Sequence, residues 1–443
     1  MKTRREFLCS WRNVALAGGA AGFTRMGRMS ALAQTSSTYR ALVCVFLFGG
    51  NDNNNTIVPM SAYADYQNSR RSLAIPQASL LPVNASGGRV FGLHPRLTGL
   101  RALYNQGRAA AVLNVGMLVR PITKADLRTP GSTPRQLYSH SDQTAQWQAA
   151  NPMGPAGTGW SGRAADIVQF ANSGGITPSV SVNGSPLQLT GQTTRPLSMS
   201  PGARFGLDSL GSTSLNNLRD GAMAQLLTFD TGATLIAAAS GIQSSGIRNA
   251  GAINAALDSA TPVATPFPDT SLGRQLAQVA RVVKARAALG MNRQIFFCGM
   301  GGFDNHSDLL PSHDNLLGQV DAAMSAFYQA TVELGVQNDV TTFTESEFGR
   351  TLDGNTTVGS DHAWGGNHLV VGGSVRGTQV YGTMPTLQLG GPDDAGNRGL
   401  FIPTLALDQY GATLAQWFGV PAADLPAVFP NIVNFPTRTI AFL

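Results

Sequence analysis

Apolar residues recur along this chain with two different periods. Between Ser271 and Leu289, the residues Leu272, Leu276, Val279, Val283 and Ala287 fall three or four apart, the spacing of a single helical face. Asp314 to Leu334 repeats the pattern with Leu317, Val320, Met324 and Phe327. Short, almost unbroken apolar runs lie between such segments: Ala41–Phe48, Ala109–Val115, Gln294–Cys298, Val340–Thr344 and Leu369–Val371. Runs of that length suit strands buried on both faces, and their alternation with helices predicts an α/β fold. The expected architecture is a central, mostly parallel sheet with helices on both faces. From about Asn172 to Thr213 the chain is rich in Ser, Thr, Gly and Pro and reads as loops or a small antiparallel insertion. No internal repeat or charged linker divides the remainder.

The polar residues are informative because of where they fall. Ala41–Phe48 is followed by Gly49-Gly50-Asn51-Asp52, and Ala109–Val115 leads through a Gly- and Pro-containing loop to Tyr138-Ser139-His140-Ser141-Asp142. Gln294–Cys298 runs into Gly301-Gly302-Phe303-Asp304-Asn305-His306, and Val340–Thr344 into Glu345-Ser346-Glu347-Phe348-Gly349-Arg350. Asp361-His362-Ala363-Trp364-Gly365-Gly366-Asn367-His368 directly precedes Leu369–Val371. Ligand sites of open α/β sheets form beyond the carboxyl ends of parallel strands, so these segments could meet at one edge. Carboxylates and imidazoles together suit zinc or a similar divalent metal, whereas calcium and magnesium take oxygen and little histidine. Two such ions about 3.5–4 Å apart would clamp both sides of a displaced ester oxygen.

Each of these residues also has a plainer reading. Asp52 and its asparagines can form Asx-turns, and Ser139 can be a helix N-cap with His140 and Asp142 as solvated neighbours. Glu345 and Glu347 share a face if their strand continues. One of them can pair with Arg350, which is either an anion clamp or a structural partner. His368 can be a satisfied core histidine, and Asp361 with His362 a packed loop.

Composition narrows the function classes. The 443 residues are 43% hydrophobic and 13% charged, with a formal net charge of +6. Residues 1–33 hold six of the 31 basic residues and one of the 25 acidic ones, so removing them leaves a net charge of +1. A nearly neutral remainder gives no support for nucleic-acid binding. Thr3-Arg4-Arg5-Glu6-Phe7-Leu8, a small-residue stretch from Val14 to Phe23 and Ala31-Leu32-Ala33 resemble a twin-arginine signal peptide with an A-x-A cleavage site. Its partner would be the twin-arginine export machinery, and the mature chain would be periplasmic or secreted. No later stretch reaches the roughly 20 apolar residues of a membrane span. Of the cysteines, Cys44 and Cys298 would remain, each inside an apolar run. That setting suits an inert buried thiol, and one disulfide is the most they could form.

GGNDNNNTIVP, YSHSDQTAQW, FTESEFGRT and DHAWGGNHLVVGG together resemble a widespread, little-characterised family of twin-arginine-exported bacterial proteins. That family is a domain of unknown function placed with the alkaline phosphatase and sulfatase superfamily, and the resemblance runs from about Arg40 to the C-terminal region. It implies an alkaline phosphatase-like fold over residues 40–443. It also implies Asp52 as the first acidic ligand and Ser139, or else Ser141, as nucleophile. Asp304 with His306 would be the Asp/His pair, Glu345 and Glu347 would stand where Asp-His is usual, and His362 or His368 would be the last ligand. Asp361 would join this set of ligands and Arg350 the catalytic groups. The implied activity is hydrolysis of phosphate or sulfate esters, small or polymeric, with one or two divalent ions, zinc foremost. Two rivals stand beside it: a non-catalytic binding or assembly protein of the same fold, and a metal-independent serine esterase. The third is suggested by GGND, which resembles a block of the GDSL-type hydrolases. However, no Gly-Asp-Ser precedes GGND and no G-x-S-x-G is present.

Overall fold

The computed structural model describes residues 39–154, 156–202, 214–229 and 232–443. The expected signal segment, residues 1–33, lies outside these. The framework is a nine-stranded sheet. Its strands are β1 (Arg40–Leu47), β5 (Ala109–Gly116), β6 (Ser179–Ser181), β7 (Leu197–Ser198), β8 (Arg293–Met300), β9 (Val340–Glu345), β10 (Gly366–Gly372), β11 (Gln379–Tyr381) and β12 (Leu405–Ala406). They lie in the order β11-β5-β10-β9-β1-β8-β6-β7, with β12 also beside β5. A separate antiparallel sheet pairs β2 (Ile57–Pro59) and β3 (Leu81–Ala85) with β4 (Arg89–Leu93).

β1 runs parallel to β8 and β9, β6 parallel to β8 and β7, and β11 and β12 parallel to β5. β10 alone runs antiparallel to its neighbours β5 and β9. That reversal matters for the site, because the residues entering β10 lie at the edge where β1, β8 and β9 end.

The central strands bury both faces, as their continuous apolar character requires. Along β1, Ala41, Val43, Val45 and Leu47 join one apolar layer and Leu42, Cys44 and Phe46 the other. Helices α2 (Thr98–Asn105), α7 (Ser271–Lys284) and α8 (Leu309–Glu333) cover the first layer. On α7 the fully covered stripe is Leu272, Leu276, Val279 and Val283, each side chain contributing roughly 1.5–3 kcal/mol by leaving water. Thr270 caps that helix by accepting the Gly273 N–H, which supplies one of the unpaired donors of its first turn. Helices α3 (His140–Ala149), α4 (Trp160–Val168) and α9 (Leu407–Phe418) cover the second layer with Trp147, Trp160, Ala164, Tyr410 and Leu414. Helix α1 (Tyr63–Arg70) packs outside both layers, beside the small sheet.

Of residues 172–213, expected as loops or a small antiparallel insertion, those described (172–202) are mostly loop, and the two short strands they contain, β6 and β7, join the main sheet in parallel rather than antiparallel fashion. Such short strands among turn residues leave too little period-2 signal to be read. A pair of helices follows, α5 (Ser214–Thr228) and α6 (Thr234–Ser259), and the last turns of α6 (Ala250, Ile253, Ala256, Leu257) enter the core. Cys44 and Cys298 are buried free thiols. They sit on adjacent strands and point into opposite layers, so they cannot pair. No described helix is long and apolar enough to cross a membrane.

Candidate metal centre

Four loops meet at one edge of the sheet: those after β1, β8 and β9, and the one before β10. The start of α3 joins them. The turn after β1 requires glycine. Gly49 has φ +117°, and a Cβ there would lie 2.4 Å from the Asp304 amide nitrogen. This close approach brings the β1 and β8 loops into contact. The Gly49 N–H also donates to Glu347 Oε1 at 2.7 Å, which draws in the β9 loop.

Three imidazoles converge on Asp304 Oδ1. His140 Nε2 lies 3.3 Å from it, His306 Nε2 3.0 Å and His362 Nε2 3.3 Å. The ligand atoms of His140, Asp304 and His362 all lie within 4.8 Å of one another, and His306 Nε2 is 3.0 Å from His362 Nε2. Each ring is braced from behind. His140 Nδ1 meets Glu347 Oε1 at 2.8 Å, His306 Nδ1 meets Asp361 Oδ1 at 3.0 Å, and His362 Nδ1 meets the Tyr138 carbonyl at 2.8 Å. An oxygen acceptor at Nδ1 favours a proton there and leaves the Nε2 side of each ring facing Asp304. Metal-bound histidines are oriented in this way.

The braces are themselves held. Glu347 is only 2% exposed and accepts from Ser346 Oγ at 3.4 Å. Arg398 donates to Asp361, with Asn355 Nδ2 at 3.3 Å. Tyr138 directs its carbonyl from a backbone at φ 75°, an uncommon conformation for a residue with a side chain. The loop before β10 crosses His306 closely: a Cβ on Gly359 would lie 2.1 Å from the His306 carbonyl carbon.

Electrostatics separate the ligands from their surroundings. Partial burial disfavours ionisation of Asp304, but the hydrogen bond and charge of Arg350, with His140 and His306, outweigh it and bring the carboxyl down to about 2. The bond to Glu347 raises the His140 pKa, whereas burial lowers that of His362. Asp304 and His306 are nearly half exposed (47% and 45%). His140 and His362 are more covered, at 36% and 22%.

The expected site residues separate into distinct positions. Asp304, His306 and His362 form the cluster, with Glu347 and Asp361 directly behind it. Arg350 is fully buried, and every guanidinium nitrogen is engaged. Nε donates to the Gly50 carbonyl at 3.0 Å, Nη1 to that of Ser360 at 2.8 Å, and Nη2 to Gly49 and Asp304. Of the two roles open to it, the geometry fits the structural one, and Arg350 holds Asp304 in place. Ser139 caps α3, its Oγ accepting the Asp142 N–H at 3.4 Å and contacting Asp142 Oδ2 at 2.5 Å. Asp52 is buried against Arg70 and shares no contact with the imidazoles.

Glu345 and His368 lie elsewhere, inside the second apolar layer. The strand ends at Glu345, so Glu347 turns to the site while Glu345 stays in the sheet beside Cys44, whose Sγ is 3.5 Å from Oε2. His368 packs on Trp147 and Tyr410, and its Nε2 has no partner. The group that sequence reasoning passed over is His140, read as a neighbour of a helix cap. Its position directly after the expected nucleophile was the available signal.

Residues 39–395 match the family described as "Protein of unknown function (DUF1501)", and no curated protein matches the chain. Similar solved structures include the zinc-complexed C-terminal periplasmic domain of EptC from Escherichia coli. It has 10% identity and TM-score 0.32, with 76% of this chain and 74% of that one covered. Others are the PsFucS1 sulfatase of Pseudoalteromonas sp. (9%, 0.34, 90% and 73%) and BT1596, a 2-O GAG sulfatase (10%, 0.34, 88% and 74%).

Proposed function

We propose, from the premise that the chain belongs to the DUF1501 family, that it is an exported metal-dependent hydrolase of phosphate or sulfate esters. The convergence of three braced imidazole nitrogens on Asp304 Oδ1 carries this reading. Three nitrogen donors and one carboxylate oxygen, with their outer nitrogens hydrogen-bonded, suit zinc or a similar divalent ion. A bound ion would polarise an ester oxygen and stabilise the charge that develops on it.

The chain's own residues prepare the rest. His140, Asp304, His306 and His362 supply donors, and Glu347, Asp361 and the Tyr138 carbonyl fix the ring tautomers. α3 begins at His140, so the positive end of a ten-residue helix stands beside the cluster. That end suits a tetrahedral oxyanion. Ser139 Oγ is the candidate nucleophile, with its proton passing to Asp142 Oδ2, 2.5 Å away. The seryl ester formed as the alcohol departs would then be hydrolysed by water. Export would follow from Arg4-Arg5 and the Ala31-Leu32-Ala33 site.

The Ser139 cap also favours a second reading, a binding protein that holds the ion without turnover. Elemental analysis of the mature chain, followed by hydrolysis of aryl phosphate and aryl sulfate with and without chelator, separates them. The hydrolase reading expects bound metal, chelator-sensitive turnover, and turnover in Ser139→Ala reduced at least about 100-fold beyond the roughly 1 kcal/mol cost of losing the cap. Bound metal without turnover selects the binding protein. Absence of both removes the metal reading altogether.

A further inference from the structure

Asp52 follows β1 and lies in the same turn as Gly49 and Gly50, close to the cluster yet only 1% exposed. Its Oδ2 is paired with Arg70, whose side chain is fully buried, while Oδ1 is buried without a hydrogen-bond partner. Arg70 Nε also donates to Asn55 Oδ1 at 3.1 Å, and Nη1 to the carbonyls of Thr351 and Leu352 at 2.7 and 3.0 Å. With all three nitrogens engaged, the guanidinium cannot swing away from Asp52 without leaving buried donors and acceptors unpaired. The Arg350 charge acts on Asp52 as well, while Arg350 itself is bonded to Asp304. Each aspartate of this edge therefore has a fixed guanidinium beside it, but Asp304 is 47% exposed and faces three imidazole nitrogens, whereas Asp52 is 1% exposed and faces none. A divalent ion on Asp52 would displace Arg70 or be repelled by it at close range in a region shielded from water.

We infer that the centre takes one divalent ion per chain, at His140, Asp304, His306 and His362, and that Arg70 is the counter-ion of Asp52 in place of a second metal. This rests on the metal reading proposed above and departs from the ligand role that the family resemblance implies for Asp52. A one-ion centre cannot clamp both oxygens of a displacement with metal, as two-ion hydrolases do. Positive charge on the second side would then come from the protein itself, with the start of α3 nearest.

The test uses the intact mature chain loaded with Zn²⁺ or Mn²⁺ and freed of excess ion. Elemental analysis should give one ion per chain, and the Mn²⁺ form should show the spectrum of an isolated ion without exchange coupling. The double variant Asp52→Leu/Arg70→Met, which removes both charges together, should keep one ion. Two ions per chain with a coupled Mn²⁺ spectrum, or loss of one of the two in Asp52→Asn, would overturn the inference while leaving the imidazole cluster intact. No bound ion at all would overturn the reading beneath it. The wild-type measurements decide the matter even if a variant fails to fold.

Discussion

Glu345 and Glu347 stand two residues apart, and His362 and His368 six apart, yet each pair divides between opposite environments. Glu347 and His362 belong to the cluster at the sheet edge, where a directed acceptor stands behind each imidazole. Glu345 and His368 lie in an apolar layer, and each retains a buried polar atom without a hydrogen-bond partner. Burial pushes Glu345 up to about 8 and His368 down to about 3, so both are neutral in the folded chain. Residue type and closeness in sequence therefore do not define a site. What does is convergence of lone pairs on one point with the outer atoms satisfied.

The largest effect expected to test this contrast is a double dissociation. His306→Ala should weaken metal binding by at least about 100-fold, more than the 10–100-fold typical of outer-shell changes, with folding stability altered by less than about 1 kcal/mol because the ring is half exposed. His368→Ala should leave metal content unchanged and cost about 2–4 kcal/mol of stability through the cavity it opens. Metal titration and urea unfolding of both variants measure this. Lost metal in His368→Ala would break the distinction.

A smaller effect should follow from Glu347→Gln, which keeps the shape but loses the carboxylate behind His140. Metal affinity should fall about 10–100-fold, while Glu345→Gln should leave it intact. Equal losses in the two variants, measured by competition with a chelating dye, would place both glutamates at the centre.

Much of the fold was legible in the sequence. Four of the five apolar runs fall within β5, β8, β9 and β10, the fifth overruns β1 by one residue at Phe48, and the two helical stripes became α7 and α8. The short strands β6 and β7 were hidden because two or three residues carry no periodicity. The site was legible to the level of its loops. Nothing local indicated that β10 reverses direction, which brings Asp361 and His362 to the edge where β8 and β9 end. Nor could spacing show that β9 stops at Glu345, which separates it from Glu347. Arg70 was invisible as the partner of Asp52, since that contact depends on the packing of α1.

The finest test is pH dependence. Glu345 has a folded pKa above its ordinary 4.5, so its contribution to stability is full below that value and is lost as pH rises through about 8. His368 has a folded pKa below its ordinary 6.5, so its contribution is full above that value and is lost as pH falls toward about 3. The two groups therefore give slopes of opposite sign. Glu345→Gln should flatten the alkaline limb of stability against pH and His368→Phe the acid limb. Unfolding midpoints at several pH values check this, and an unchanged alkaline limb in Glu345→Gln would show that Glu345 is not the group responsible.

The bond between His140 and Glu347 joins residues 207 apart in the chain, and the brace between His306 and Asp361 joins residues 55 apart. Contacts that close such long stretches of backbone form late, after the entropy of bringing distant segments together has been overcome. On the metal reading proposed above, a newly made polypeptide would have no seat for a cation until nearly the whole sheet is assembled. Ion capture would be the final event of maturation rather than its trigger, and truncated fragments of the chain would not compete for the metal.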